Sequence, residues 1–158
     1  MNLCKIWLAG GCFWGVEEYF LRIEGVADTL VGYSNGKSIR TSYSELKTTG
    51  HVETVQVSYD RDFLPLEDDV ARMGGIDADV LDLETIKKAI EKLQQQYSRK
   101  VAIEVEPVKN FVLAEKLHQK YLRQNPSGYC HVDFRRLSDT RQKLFRKKQL
   151  RNLLTEMQ

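Results

Sequence analysis

Apolar and polar positions along this chain recur in patterns that predict most of its elements. "KIWLAG" at 5–10 reads as a short strand ended by a double glycine. Trp14, Val16, Tyr19, Phe20 and Ile23 then recur at the spacing of one buried helical face, and Gly25 ends that helix. "VADTLVGYSNG" alternates loosely and closes on Asn35-Gly36, a turn signal. Thr41 or Ser42 opens one or two helical turns. "HVETVQVSYD" follows as a strand carried by Val52, Val55, Val57 and Tyr59. Residues 60–82 are irregular and acidic. Asp82 caps a helix in which Leu83, Ile86, Ile90, Leu93 and Tyr97 share a side. "VAIEVEPV" at 101–108 alternates as a strand and stops near Pro107. Asn110 caps a further helix with Phe111, Ala114, Leu117, Tyr121 and Leu122 on one side, ended by "NPSG". From Ser138 onward, Leu144, Leu150, Leu153, Leu154 and Met157 mark a basic amphipathic helix. Strands and helices mixed without a strict βαβ repeat predict an α+β fold, a sheet sandwich with helices on the sheet faces.

A length of 158 residues accommodates one sizeable core, here 1–134, with 135–158 as a basic helical tail. Hydrophobic content of 42% beside 29% charged residues is that of a globular chain. The tail has eight basic residues against two acidic ones, a net of +6 that leaves the first 134 residues at −4 out of the chain's +2. Such a tail suits docking on nucleic acid or an anionic membrane surface, although so small an overall charge gives little long-range attraction and argues against specific nucleic-acid binding. No apolar run reaches the roughly 18 residues of a membrane span. "LAGGC" resembles a lipoprotein cleavage site, but the preceding "IWLA" falls short of the about 7 apolar residues a secretory signal needs. Three cysteines without CxxC pairs or metal-ligand spacing predict a reducing cytoplasm, in which a disulfide would be transient and catalytic, and the chain is expected to be a monomer.

Three segments carry candidate chemistry. In "LAGGCFWGVEEYF", Cys12 stands where a strand runs into a helix, beside unpaired amides whose partial positive charge favours a thiolate. The flanking glycines leave room for another molecule to approach the sulfur. Phe13 and Trp14 offer ring faces suited to a methyl or thioether group. Cys4, early in a strand without polar company, reads as packing. In "TGHVE", His51 and Glu53 lie two apart and share a strand face. A carboxyl beside an apolar pocket would have its pKa raised and could donate a proton near neutrality. In "NPSGYCHVDF", Cys130 follows a Pro/Gly turn on a segment expected to be mobile enough to reach another sulfur. A second enzymatic reading pairs Cys12 with His51 as base, for acyl transfer or peroxide reduction.

With these residues assembled, the chain resembles the A-type peptide methionine sulfoxide reductases. The match rests on "AGGCFWGVEEYF", "GVADTLVGYSNG", "TSYSEL", "TGHVETVQVSYD" and "EVEPVKNFVLAEKLHQKYLRQNPSGYCHVD", in the family's order. The resemblance implies a ferredoxin-like mixed sheet sandwich and thiol-dependent reduction of methionine S-sulfoxide, free or in proteins, as repair after oxidative damage. It implies attack by Cys12 on the sulfoxide sulfur, protonation of the oxygen by Glu53, a second hydrogen bond from Tyr43, and a methyl pocket of Phe13 and Trp14. Cys12 would become a sulfenic acid, and Cys130, at the resolving position, would form a Cys12–Cys130 disulfide reopened by thioredoxin or a similar dithiol. No metal or organic cofactor is implied. Residues 61–82 replace a considerably longer family segment, so the family's active-site aspartate and second tyrosine have no clear equivalents. A degenerate, weakly active or inactive reductase-like protein is therefore the alternative within the family.

Overall fold

The computed structural model of the chain describes residues 3–62, 76–78 and 83–136. In order, these form β1 (Leu3–Leu8), α1 (Phe13–Leu21), β2 (Val26–Ser34), a 3-10 turn (Tyr43–Glu45), α2 (Leu46–Thr49) and β3 (Val52–Asp60). There follow β4 (Ile76–Ala78), α3 (Leu83–Gln94), β5 (Val105–Glu106), β6 (Phe111–Leu113), a 3-10 turn (Lys116–His118), α4 (Tyr121–Gln124) and a last 3-10 turn (Phe134–Arg136). The strands make one sheet in the order β5-β4-β1-β3-β2-β6. β3 lies between β1 and β2 and runs antiparallel to both, so β1-α1-β2 is a split βαβ unit. With β4 and β5 parallel and the other pairs antiparallel, the sheet is mixed, the α+β, ferredoxin-like arrangement expected.

Register sets the core. Leu8 lies opposite Val55, which lies opposite Val31; one step along, Ile6, Val57 and Thr29 line up in the same way. Alternate side chains share a face, so this row of β-branched and aliphatic groups forms one apolar surface. It is buried with Phe13, Val16, Tyr19 and Phe20 of α1, each about as enclosed as the sheet residues. Every such side chain removed from water contributes about 1.5–3 kcal/mol.

α1 also buries two carboxylates. Glu17 is 1% exposed and accepts hydrogen bonds from Thr29 Oγ1 (3.0 Å), Lys120 N (2.8 Å) and Lys120 Nζ (3.4 Å). Glu18 pairs with Arg22 at 2.9 Å and Arg123 at 3.1 Å. A buried charge needs such partners. The consequence is positional, because "VEEYF" thereby ties residues 120–123 to the helix that begins at Cys12.

Two expectations are corrected. The helix expected from Asn110 is instead β6, a 3-10 turn and one turn of α4. β6 fills the open edge of β2, with Phe111 opposite Ser34 and Leu113 opposite Gly32, and the absence of a side chain at Gly32 seats the Phe111 ring, with which a Cβ there would collide. Gln119 extends the same edge, its amide accepting from Val31 N (3.0 Å) and donating to Val31 O (2.8 Å). A sheet edge in need of partners outweighed the local helical spacing. The strand expected over 101–108 is confined to Val105–Glu106, the part that pairs with β4. The Asp82 cap, the acidic stretch at 63–75 and the basic tail from Ser138 lie outside the described residues.

Candidate active site

Cys12 occupies the N-cap of α1, half-buried, with backbone angles φ −55° and ψ 117°. The backbone N–H groups of Trp14 and Gly15 reach its sulfur and pull its pKa down, as expected of a helix start. The expected ionised thiol is nonetheless corrected. Burial pushes the Cys12 thiol above its ordinary value by more than the amides lower it, and negative charge on Glu53 and Cys130 adds to the rise.

Glu53 stands on β3 directly opposite Tyr33 on β2. Half-buried, it reaches α1, where its Oε2 accepts a hydrogen bond from Phe13 N at 3.0 Å. The carboxyl is thus one residue from Cys12. Tyr43 opens the 3-10 turn after β2 and is 52% exposed. The charge of Glu53 does most to raise the Tyr43 phenol above its ordinary pKa, followed by burial and by Cys12. Cys12, Glu53 and Tyr43 therefore share one electrostatic neighbourhood.

Tyr33, Glu115 and His118 join them, and sequence reasoning did not single them out. Tyr33 is fully enclosed; its hydroxyl donates to Glu115 Oε2 at 2.5 Å, while Tyr43 N donates to Glu115 Oε1 at 3.1 Å. Burial drives the Tyr33 phenol far above its ordinary pKa, and Glu115, Glu53 and Tyr43 drive it further. Burial also pushes Glu115 up, but the bonds from Tyr33 and Tyr43 N and the nearby His118 outweigh it and hold the carboxyl below its usual range. The His118 ring is 8% exposed and lies 5.3 Å from Phe13, 5.7 Å from Trp14 and 5.4 Å from Tyr43, centroid to centroid. Its Nδ1 accepts from Trp14 Nε1 at 3.3 Å. The alternation of β2 and β3, which sets Tyr33 opposite Glu53, was the available signal for the first. The other two were hidden by reading 110–122 as a helix.

Aromatic rings thus crowd beside the thiol. Trp14 is half-buried and stacked on Tyr121 at 3.8 Å and 17°. Phe13 is 1% exposed and tilted against Tyr33 and Trp14, so its ring sits in the core behind the half-buried face of Trp14.

Cys130, expected on a mobile segment, is half-buried and held against α1. A Cβ on Gly15 would lie 3.2 Å from Cys130 Sγ and 2.9 Å from Val132, and further along the Arg22 guanidinium covers the Phe134 ring at 4.0 Å. All three cysteines are free thiols. His51 is 5% exposed with Nδ1 engaged by Thr49 Oγ1 at 2.9 Å, so the geometry gives no support to a Cys12–His51 pair. Among the described residues, no group of three His, Cys, Asp or Glu side chains is arranged to hold a metal ion, and no helix is long and apolar enough to cross a membrane.

Comparison with known proteins points to one family. The pattern described as peptide methionine sulfoxide reductase matches residues 4–71 and 78–150. Reduced Mxr1 from Saccharomyces cerevisiae is similar in structure, with a TM-score of 0.71 and 32% identity over 82% of this chain and 89% of that one. Methionine sulfoxide reductase A of Corynebacterium diphtheriae gives a TM-score of 0.71 and 26% identity over 82% of this chain and 78% of its own. Mxr1 in complex with Trx2 gives a TM-score of 0.55 and 28% identity over 76% of this chain and 85% of that one.

Proposed function

The chain belongs to the peptide methionine sulfoxide reductase family, and from that premise we propose that it reduces the S epimer of methionine sulfoxide, free or in proteins, using its own thiols. The observation that carries this reading is the hydrogen bond from Phe13 N to Glu53, which sets an acid one residue from Cys12.

Cys12 sulfur attacks the sulfoxide sulfur as thiolate, the nucleophilic form. Because charge on Glu53 opposes that thiolate, Cys12 ionises most readily when Glu53 carries the proton. The same proton is then delivered to the sulfoxide oxygen. Tyr43 donates a second hydrogen bond to that oxygen as charge develops on it. The phenol suits this role, since its raised pKa keeps it a donor. Trp14, with Phe13 behind it, receives the substrate methyl. The substrate's sulfur–oxygen bond breaks with its electron pair on the hydroxyl. That hydroxyl bonds the Cys12 sulfur as the Cys12–substrate sulfur bond breaks with its pair on the thioether, and methionine leaves with Cys12 left as sulfenic acid. Cys130 displaces the hydroxyl as water and forms a disulfide, which an external dithiol reopens.

The complex of Mxr1 with Trx2 supports thioredoxin as that dithiol. This chemistry needs no metal or organic cofactor, and a reducing cytoplasm with repair of oxidised proteins is the setting it fits. Turnover of a peptide bearing methionine S-sulfoxide with dithiothreitol is the test, with the R epimer as control. Methionine from the S epimer alone supports the reading, and none from either refutes it.

A further inference from the structure

The glycines around Cys12 admit a ring of this same chain. His131, next to Cys130, lies over them: its Nε2 is 3.2 Å from Gly10 O, and a Cβ built on Gly11 would meet Nε2 at 3.3 Å. Gly11 itself has φ +91°, where side chains are strained. A carbonyl oxygen only accepts, so Nε2 carries the proton and Nδ1 is left with a free lone pair. The Cys130 thiol, next to this ring in sequence, donates to Val132 O at 3.6 Å. A Cβ on Gly15 would lie 3.4 Å from His131 Nδ1, 3.2 Å from Cys130 Sγ and 2.9 Å from Val132, so nitrogen and thiol border the same glycine of α1. The sulfur of Cys130 is near enough for its charge to be felt at Cys12.

We infer that His131 is the general base of the disulfide-forming step, an inference that rests on the reductase reading because no sulfenic acid arises without it. The Cys130 S–H turns from Val132 O to Nδ1, which takes its proton, and the sulfur so freed attacks Cys12 Sγ. The sulfur–oxygen bond of the sulfenic acid breaks with its electron pair going to oxygen, and the imidazolium hands its proton to that oxygen, which leaves as water. Cys130 is oxidised, the sulfenic sulfur is reduced, and the neutral imidazole is regenerated. A base is required because the thiolate is the competent nucleophile. An acid is required because hydroxide is a poor leaving group. One ring held by Gly10 O and bordering Gly15 beside Cys130 supplies both.

Two variants test this, mixed with an S-sulfoxide peptide without external reductant while methionine, free thiols and dimedone-trapped Cys12 are followed in time. His131→Gln retains a donor for Gly10 O and loses the base. His131→Ala opens the ring's place to free imidazole. In both, the rate of disulfide formation relative to methionine release should fall on the order of a hundredfold, with Cys12 sulfenic acid accumulating. Free imidazole should speed the disulfide step in His131→Ala and leave His131→Gln slow. Methionine release by each variant reports that it is folded. Disulfide formation keeping pace with methionine release in His131→Gln, or no response of His131→Ala to imidazole, overturns the inference alone. Absence of methionine release by the unaltered protein overturns the reductase reading, and the inference with it.

Discussion

Glu53 Oε2 accepts a hydrogen bond from Phe13 N at 3.0 Å, so two groups able to carry negative charge, this carboxyl and the Cys12 sulfur, draw on the amides of one helix start. Glu53→Gln removes the charge that opposes the Cys12 thiolate while keeping the acceptor for Phe13 N. Alkylation of Cys12 by iodoacetamide near neutrality should become faster, by about tenfold for each unit its pKa falls. Unaltered Cys12 should reach half its limiting alkylation rate above pH 9.0, the ordinary value, since burial raises it. Glu53→Gln keeps a hydrogen-bond donor but has no proton to deliver, so it and Glu53→Ala should both lose most sulfoxide reduction. Near-parental reduction by Glu53→Gln would contradict a proton-donating role.

Cys130→Ser should still release about one equivalent of methionine per chain, because the first step needs Cys12 alone, and should then recycle slowly with thioredoxin. Loss of that first equivalent would remove Cys130 from the resolving position.

Gly15→Ala tests how Cys130 is held. The added methyl would meet Val132 at 2.9 Å and Cys130 Sγ at 3.2 Å, so the segment must shift off α1. Disulfide formation, read by thiol counting after one turnover, should slow relative to methionine release. An unchanged ratio would mean that Cys130 does not work from its place over Gly15.

Much of this site was legible in the sequence because its central pieces are local. Cys12 at a strand-to-helix junction follows from "AGGCFWG", and Glu53 facing a core follows from the alternation of "HVETVQVSY". The α+β, ferredoxin-like mixed sheet was expected and is present. What was illegible depends on pairing across long distances. Phe111 reads as helical until the edge of β2 takes it, and with it Glu115 and His118 are carried to Tyr33 and Tyr43. Cys12 also reads as an ionised thiol from its helix alone. Its burial and the Glu53 charge, both tertiary, reverse the direction.

Lys120→Met should destabilise the fold by about 3 kcal/mol at neutral pH, because it strands the buried Glu17 without its cation. Burial already raises the Glu17 pKa above its ordinary 4.5, against the pull of Lys120. A carboxyl raised in the folded state keeps its proton longer there than in the unfolded chain, so its favourable contribution is complete below pH 4.5 and fades as pH climbs through the folded value. Without Lys120 the rise is greater, so thermal stability of the variant should decline more steeply than that of the parent between pH 4.5 and neutrality. Parallel pH profiles would show that Lys120 does not compensate Glu17.

The most direct measurement mixes the protein with excess methionine S-sulfoxide peptide and no external thiol, then counts methionine and maps thiols by mass. The account predicts about one methionine per chain, a Cys12–Cys130 disulfide, and no methionine from Cys12→Ser. No methionine from the unaltered protein, or as much from Cys12→Ser as from it, would contradict the account.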